Sequence, residues 1–265
     1  MRTLVVSAIA FVLSATAAFA ADLTGRQIID EVSKRHDKPV EYEKQVMTLV
    51  SSDQSKEVRK VERFKMDTDD GSRALMVFQD PAGVKGTALL TWQYDAKDDD
   101  QWLFLPAMSN ELKRIAKGGK RNYFMGTDYT YEDLSTEKKD NFSYERKPDE
   151  TLDGQDSFVV DVSALEAETK KETGYKYRRM WIRKDLYFVT RIDYFDRREN
   201  LIKRQTYDKL VDLGGGTYRA GLSLVKNLEN QHVTAVQVVE RSFDKDKVPD
   251  EVFLQRYVTS GKHIR

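Results

Sequence analysis

The chain has 265 residues, with 44 basic and 44 acidic side chains, three histidines and no cysteine. Charge this balanced disfavours nucleic acid as a partner, because a nucleic-acid binder carries a basic excess. The lack of cysteine removes disulfides, thiolate metal sites, Cys nucleophiles and any acylated lipobox. Arg2, the apolar run from Leu4 to Ala18, and Ala18-Phe19-Ala20 ahead of Ala21-Asp22 form a secretory signal with cleavage after residue 20. That run is short beside the ~20 residues a membrane span needs, an uncleaved anchor being the alternative. The expected product is an exported periplasmic chain, residues 21–265, of a size that suits one large β domain or two small ones.

Thr24 and Gln27 make a capping box. Ile28, Ile29 and Val32 then form an apolar stripe, and Pro39 lies beyond the end, so one amphipathic helix opens the mature chain. From Tyr42 onward the hydrophobic period is 2. It predicts strands at 42–51, 57–67, 73–79, 87–94, 101–105, 111–116, 142–147, 156–163, 176–183, 186–195, 201–209, 218–228 and 232–243. Turn signals such as Thr68-Asp69-Asp70-Gly71, Asp98-Asp99-Asp100 and Asp153-Gly154 separate them. Spacing near ten residues per strand favours antiparallel hairpins over βαβ units. A second helix has two possible places, 118–135 or 165–173, where alternation lapses. Pro249-Asp250 opens a helical turn through Phe253.

The strands differ in how their faces are covered. In 57–67, Val58, Val61, Phe64 and Met66 share the strand with Arg59, Lys60, Glu62 and Arg63, which marks one side as wet. Lys203 and Arg204 mark 201–207 in the same way. By contrast 87–94 and 101–105 are apolar on both faces, so both faces require a cover. A thick buried core meets that need. So does a ligand cavity, and a C16-type acyl chain at ~0.8 kcal/mol per CH₂ would gain on the order of 10 kcal/mol there.

Chemical motifs are sparse. His36, His232 and His263 lack metal-ligand spacing, and there is no G-x-S-x-G elbow. Lys117-Gly118-Gly119-Lys120 lacks phosphate-loop spacing, and Gly214-Gly215-Gly216 reads as a loop. Asp98, Asp99 and Asp100 read as a solvated hairpin tip rather than a Ca²⁺ loop. Glu111, Lys113, Arg114 and Lys117 form a charged strand face. These features predict no catalytic residues, no metal and no cofactor.

The segment GTALLTWQYDAKDDDQWLFLPAMSNELKRIA, followed by YFMGTDYTYEDL and a closing VPDEVFLQRYV, resembles the outer-membrane lipoprotein-sorting protein family. That family belongs to the LolA-like superfamily of periplasmic carriers. The resemblance implies a mainly β (α+β) fold: a strongly curved antiparallel sheet, an open or half barrel, with a few helices over its concave apolar face. Trp92, Trp102, Phe104, Leu105 and Pro106 match the family's strand motif. Phe124, Met125, Gly126, Asp128, Tyr129, Tyr131, Glu132 and Asp133 match its loop motif. The apolar-cavity candidates are accordingly Trp92, Trp102, Phe104, Leu105, Phe124, Met125, Tyr129 and Tyr131. Gly126 is expected to serve backbone geometry, and Asp128 and Glu132-Asp133 to cap a turn. Ser109 to Leu112 depart from the more basic run of relatives.

The resemblance implies a carrier rather than an enzyme. Its cargo would be a lipid or acylated protein, passed between membranes or to an inner-membrane permease, with transient membrane contact. The competing expectation is an envelope interaction or sensor module on the same fold that moves no lipid.

Overall fold

The computed structural model describes residues 22–264, and the signal segment expected at 1–20 lies outside them. The strands are β1 (Val40–Val50), β2 (Lys56–Thr68), β3 (Gly71–Asp80), β4 (Ala88–Tyr94), β5 (Asp100–Phe104), β6 (Leu112–Arg114), β7 (Phe142–Leu152), β8 (Gln155–Ala164), β9 (Tyr177–Arg183), β10 (Phe188–Phe195), β11 (Leu201–Asp212), β12 (Tyr218–Asn227) and β13 (Val233–Ser242). They form one 13-stranded sheet in the order β6-β5-β4-β3-β2-β1-β13-β12-β11-β10-β9-β8-β7. Hairpin neighbours in sequence are therefore neighbours in space, and β1 against β13 joins the two arms. The sheet curves without closing, and β6 and β7 are its edges.

All thirteen predicted strands are present. The largest boundary difference is in β7, whose alternation stops at Lys147 because Pro148 follows. Pairing with β8 resumes at Glu150 after a bulge. An edge strand tolerates this, since proline's missing N–H faces no further partner.

Helix α1 (Gly25–His36) starts as its sequence predicts. Gln27 N–H donates to the Thr24 hydroxyl at 3.3 Å, and Thr24 N–H donates to Gln27 Oε1 at 2.9 Å. Its buried Ile28 and Ile29 pack on Phe158, Val160, Met180, Ile182 and Ile192. Gly25 lets the helix start directly on β7, because a Cβ there would stand 2.5 Å from Tyr144 O. Of the two places for a second helix, 165–173 holds it, as α2 (Ala167–Glu172). A 3-10 turn at Asp250–Phe253 leads into α3 (Gln255–Thr259).

Cross-strand register divides the side chains between two faces. The inner face carries α1 over β8–β10 and the 118–135 segment over β1–β5, β12 and β13. The outer face of β1–β6 carries the C-terminal turn and α3, with Val248, Val252, Phe253 and Val258 buried there. The outer face of β7–β11 is charged: Asp161 holds Arg179 at 2.7 Å, and Asp193 holds Arg204 at 2.8 Å. Both covers over the two-faced strands β4 and β5 are thus protein.

Candidate functional site

The connection from β6 to β7 folds into a small hairpin over the inner face. Phe124 N–H donates to Tyr129 O at 2.7 Å, and Thr127 N–H to Phe124 O at 2.8 Å. The two central residues, Met125 and Gly126, have φ of +48° and +75°. Left-handed φ at both central positions defines a primed turn, and it explains the glycine by backbone geometry as expected.

The carboxylates of the loop motif then hold this hairpin down. Asp128 accepts from Thr234 Oγ1 and from His232 Nδ1, both at 2.7 Å, fixing the tip to β13. Glu132 accepts from the Thr173 hydroxyl and from Gly174 N–H, joining the loop to the segment after α2. Burial pushes the Glu132 carboxyl up, against the lowering effect of those donors and Arg178. Asp133 does cap a turn, accepting from Thr130 N–H at 2.7 Å. The same oxygen lies 2.5 Å from Lys203 Nζ on β11, and both side chains are almost fully buried. The lysine is enclosed by the rings of Tyr194 and Tyr175 at 4.3 and 4.9 Å. Arg59 of β2 adds a fourth tie, donating to Met125 O at 2.7 Å.

Between this loop and the inner face lie two adjoining lobes that share Asp133, Ser135, Thr136, Gln205 and Tyr207. Their volumes are about 240 and 310 Å³. Taken together they fall in the lower part of the roughly 300–1,000 Å³ range of small-molecule sites. The larger lobe is amphipathic. Met47, Met76, Leu134, Val236 and Val238 line it beside Gln45, Ser223 and a row of charges. That row follows the sheet register, with Arg63 of β2, Glu43 of β1 and Arg241 of β13 directly opposite one another. Glu41 extends it to Arg219 of β12 at 3.0 Å. Burial raises the Glu41 carboxyl, but Arg219, Arg63 and Arg241 outweigh it and hold the group below the usual carboxylate range. Tyr129 stands at the wall with its hydroxyl 3.2 Å from Ser223 Oγ, its own ionisation pushed up to about 12 by burial.

Of the eight candidates from the sequence, Tyr129 lines a lobe directly. Phe124 and Tyr131 pack beneath the loop with Phe78, Leu89 and Leu103, and Leu105 and Met125 border the same core. Trp92, Trp102 and Phe104 stand on the outer face instead. They pack with the C-terminal turn, and Trp92 Nε1 donates to Phe253 O at 2.9 Å. The concave face also departs from the uniformly apolar wall expected of it. Arg63, Arg219, Arg241, Glu41, Glu43 and Lys203 were absent from the sequence candidates. Alternation marked Arg63 and Lys203 as belonging to a wet face, and it cannot distinguish bulk water from a polar cavity. The acidic tip carries ion pairs: Asp98 with Lys117 at 2.7 Å, Asp99 with Lys138 at 2.8 Å, and Asp100 with Arg114. Among the described residues, no group of three or more His, Asp or Glu side chains is placed to hold a metal ion. Nor is any helix there long and apolar enough to cross a membrane.

The open antiparallel sheet with a helix on its concave side is the fold that solved lipoprotein-sorting and LolA superfamily proteins share with this chain. A domain described as an outer membrane lipoprotein-sorting protein from Vibrio parahaemolyticus matches with a TM-score of 0.81 and 25% identity, over 89% of this chain and 98% of that one. A DUF1329 family protein from Desulfovibrio piger matches with a TM-score of 0.80 and 24% identity, over 88% of this chain and 97% of that one. A LolA superfamily protein from Nitrosomonas europaea shares the fold with a TM-score of 0.70 and 13% identity, over 89% of this chain and 100% of that one. None of the curated proteins compared with the chain matches it. The model of the DUF1329-like family, described as "uncharacterized protein", matches residues 70–260, and the chain belongs to that family.

Proposed function

We propose that the protein is a periplasmic carrier that shields a lipid, or the acyl chain of a lipoprotein, beneath the 118–135 loop. It then delivers that cargo between membranes or to an inner-membrane permease through transient membrane contact. On this reading residues 1–20 are a cleaved signal and 21–265 act as one carrier domain without catalytic residues. The observation that carries the reading is the amphipathic cavity between a latched loop and the curved sheet of a LolA-like fold. Of the aromatic candidates, Tyr129 is the one proposed to touch cargo. Phe124, Met125, Leu105 and Tyr131 shape the loop above it.

The loop is held by apolar packing of Phe124 and Tyr131 on the inner face, and by hydrogen bonds and ion pairs to the sheet and to the segment after α2. Loading would loosen these polar ties while the apolar core on the outer face stays intact. The test is to purify residues 21–265 from a periplasm without detergent, extract with organic solvent and identify lipids by mass spectrometry. A lipid at about one per protein is expected. An empty, well-folded protein that still captures a specific envelope protein would instead support an interaction or sensor module.

A further inference from the structure

The charge row in the larger lobe is unbalanced. Arg63, Arg219 and Arg241 face Glu41 and Glu43, so one positive charge lacks its own carboxylate. Arg63 is the residue left over. Glu43 Oε1 is taken by Arg241, with contacts of 2.6 and 2.7 Å, and Glu43 Oε2 accepts from Gln45 Nε2 at 2.6 Å. Glu41 is engaged by Arg219 and by Arg241, at 3.0 and 3.2 Å. Among the described residues, the anionic partner within ion-pair distance of Arg63 is Glu43 alone, at 3.8 Å, beyond a good hydrogen bond. The Arg63 side chain keeps 32% of its exposure and lines the lobe. Both carboxylates, by contrast, are buried.

A guanidinium at a cavity wall with its fork uncommitted is built to accept a planar or tetrahedral oxyanion through two parallel N–H donors. Apolar side chains line the same lobe, with Met47, Met76 and Val236 on the sheet side and Leu134 on the loop side. One ligand satisfies both features: an amphiphile with an anionic head and an apolar tail. We infer that the larger lobe binds the phosphate or carboxylate head of an anionic lipid at Arg63, with its chain against the Met47–Val236 wall. Arg219 and Arg241 hold Glu41 and Glu43 in place and keep the local potential positive. The inference rests on the reading of this cavity as a lipid site and names the class of lipid.

The test is calorimetric titration of residues 21–265 with dodecyl phosphate, 1-dodecanol and inorganic phosphate, each as free monomer in solution. Dodecyl phosphate should bind at least about tenfold more tightly than either of the others, with an affinity that falls as salt rises. Arg63→Gln should remove most of that preference by weakening dodecyl phosphate far more than 1-dodecanol, and Arg63→Lys should restore part of it. Thermal melting of each variant checks the fold, and the wild-type comparison stands even if a variant unfolds. Equal binding of dodecyl phosphate and 1-dodecanol, indifferent to Arg63→Gln, would overturn the anion assignment and leave the lipid site standing. Inorganic phosphate binding as tightly as dodecyl phosphate would overturn the amphiphile. Binding of none of the three would overturn this inference and the carrier reading together.

Discussion

Replacing Lys203 by Met tests whether the Asp133–Lys203 pair is the main latch of the loop. Met has nearly the length and volume of the lysine stem, so packing against Tyr175 and Tyr194 is kept while the charge is lost. At about 2.5 Å and an effective dielectric of about 20, the direct attraction is about 7 kcal/mol, much of it offset by desolvation of both ions. Breaking a buried pair on one side leaves the other charge stranded, at a typical net cost of about 3–5 kcal/mol. Asp133 keeps Thr130 N–H and the Tyr175 hydroxyl as donors, at 2.7 and 3.0 Å, which favours the lower end of that range. Urea unfolding should therefore show Lys203→Met destabilised by about 3 kcal/mol with an unchanged slope. If the loop opens on its own, the amides of 124–134 should exchange faster before global unfolding does. Adding Asp133→Asn should recover most of the loss, because no buried charge then lacks a partner. A Lys203→Met protein with stability within about 1 kcal/mol of wild type and unaltered exchange in 124–134 would refute the latch.

The aromatic residues of the two faces should respond differently. Trp102→Phe is expected to cost about 1–3 kcal/mol of stability on the outer face without changing lipid content, whereas Tyr129→Ala should lower lipid content in a protein that still folds; extracted lipid measured by mass spectrometry decides. Gly25→Ala should lower stability by about 1–3 kcal/mol, read as a drop in Tm, because the new methyl meets the Tyr144 carbonyl. His36 and His263 are buried, and burial lowers both imidazoles below the usual value of about 6.5, against the opposing effect of backbone carbonyls. The unfolded chain therefore binds more protons, and stability falls as pH drops below about 6.5, by up to about 1.4 kcal/mol for each histidine at pH 5.5. The raised Glu132 carboxyl works in the opposite sense. Urea midpoints that stay flat from pH 7.5 to 5.5 would contradict the assignment of both imidazoles as buried and neutral.

Much of the fold was legible because its signals are local. The Thr24–Gln27 box and the stripe of Ile28 and Ile29 specify α1 within one helical turn, and period-2 alternation specifies each strand within ten residues. Alternation also located the strands that need two covers. It could not identify those covers, because Val252 and Phe253 lie about 150 residues along the chain from Trp102. For that reason Trp92 and Trp102, which read as cavity walls, are core beneath the C-terminal turn. The loop motif was legible as a unit, yet its carboxylates serve mainly as long-range ties, since Thr234 and Lys203 reach it only through sheet order.

The sequence by itself determined the strand count, the first helix, the hairpin spacing and the extent of the loop motif. Each depends on residues close along the chain, whose preferences act before any tertiary contact forms. Only the tertiary structure decided which face of each strand meets the cavity, that its floor is charged, and that Arg63 is left without a carboxylate of its own. Those facts depend on the register that sets β2, β1, β13 and β12 side by side. A one-residue slip in that register would exchange the two faces and dissolve the site.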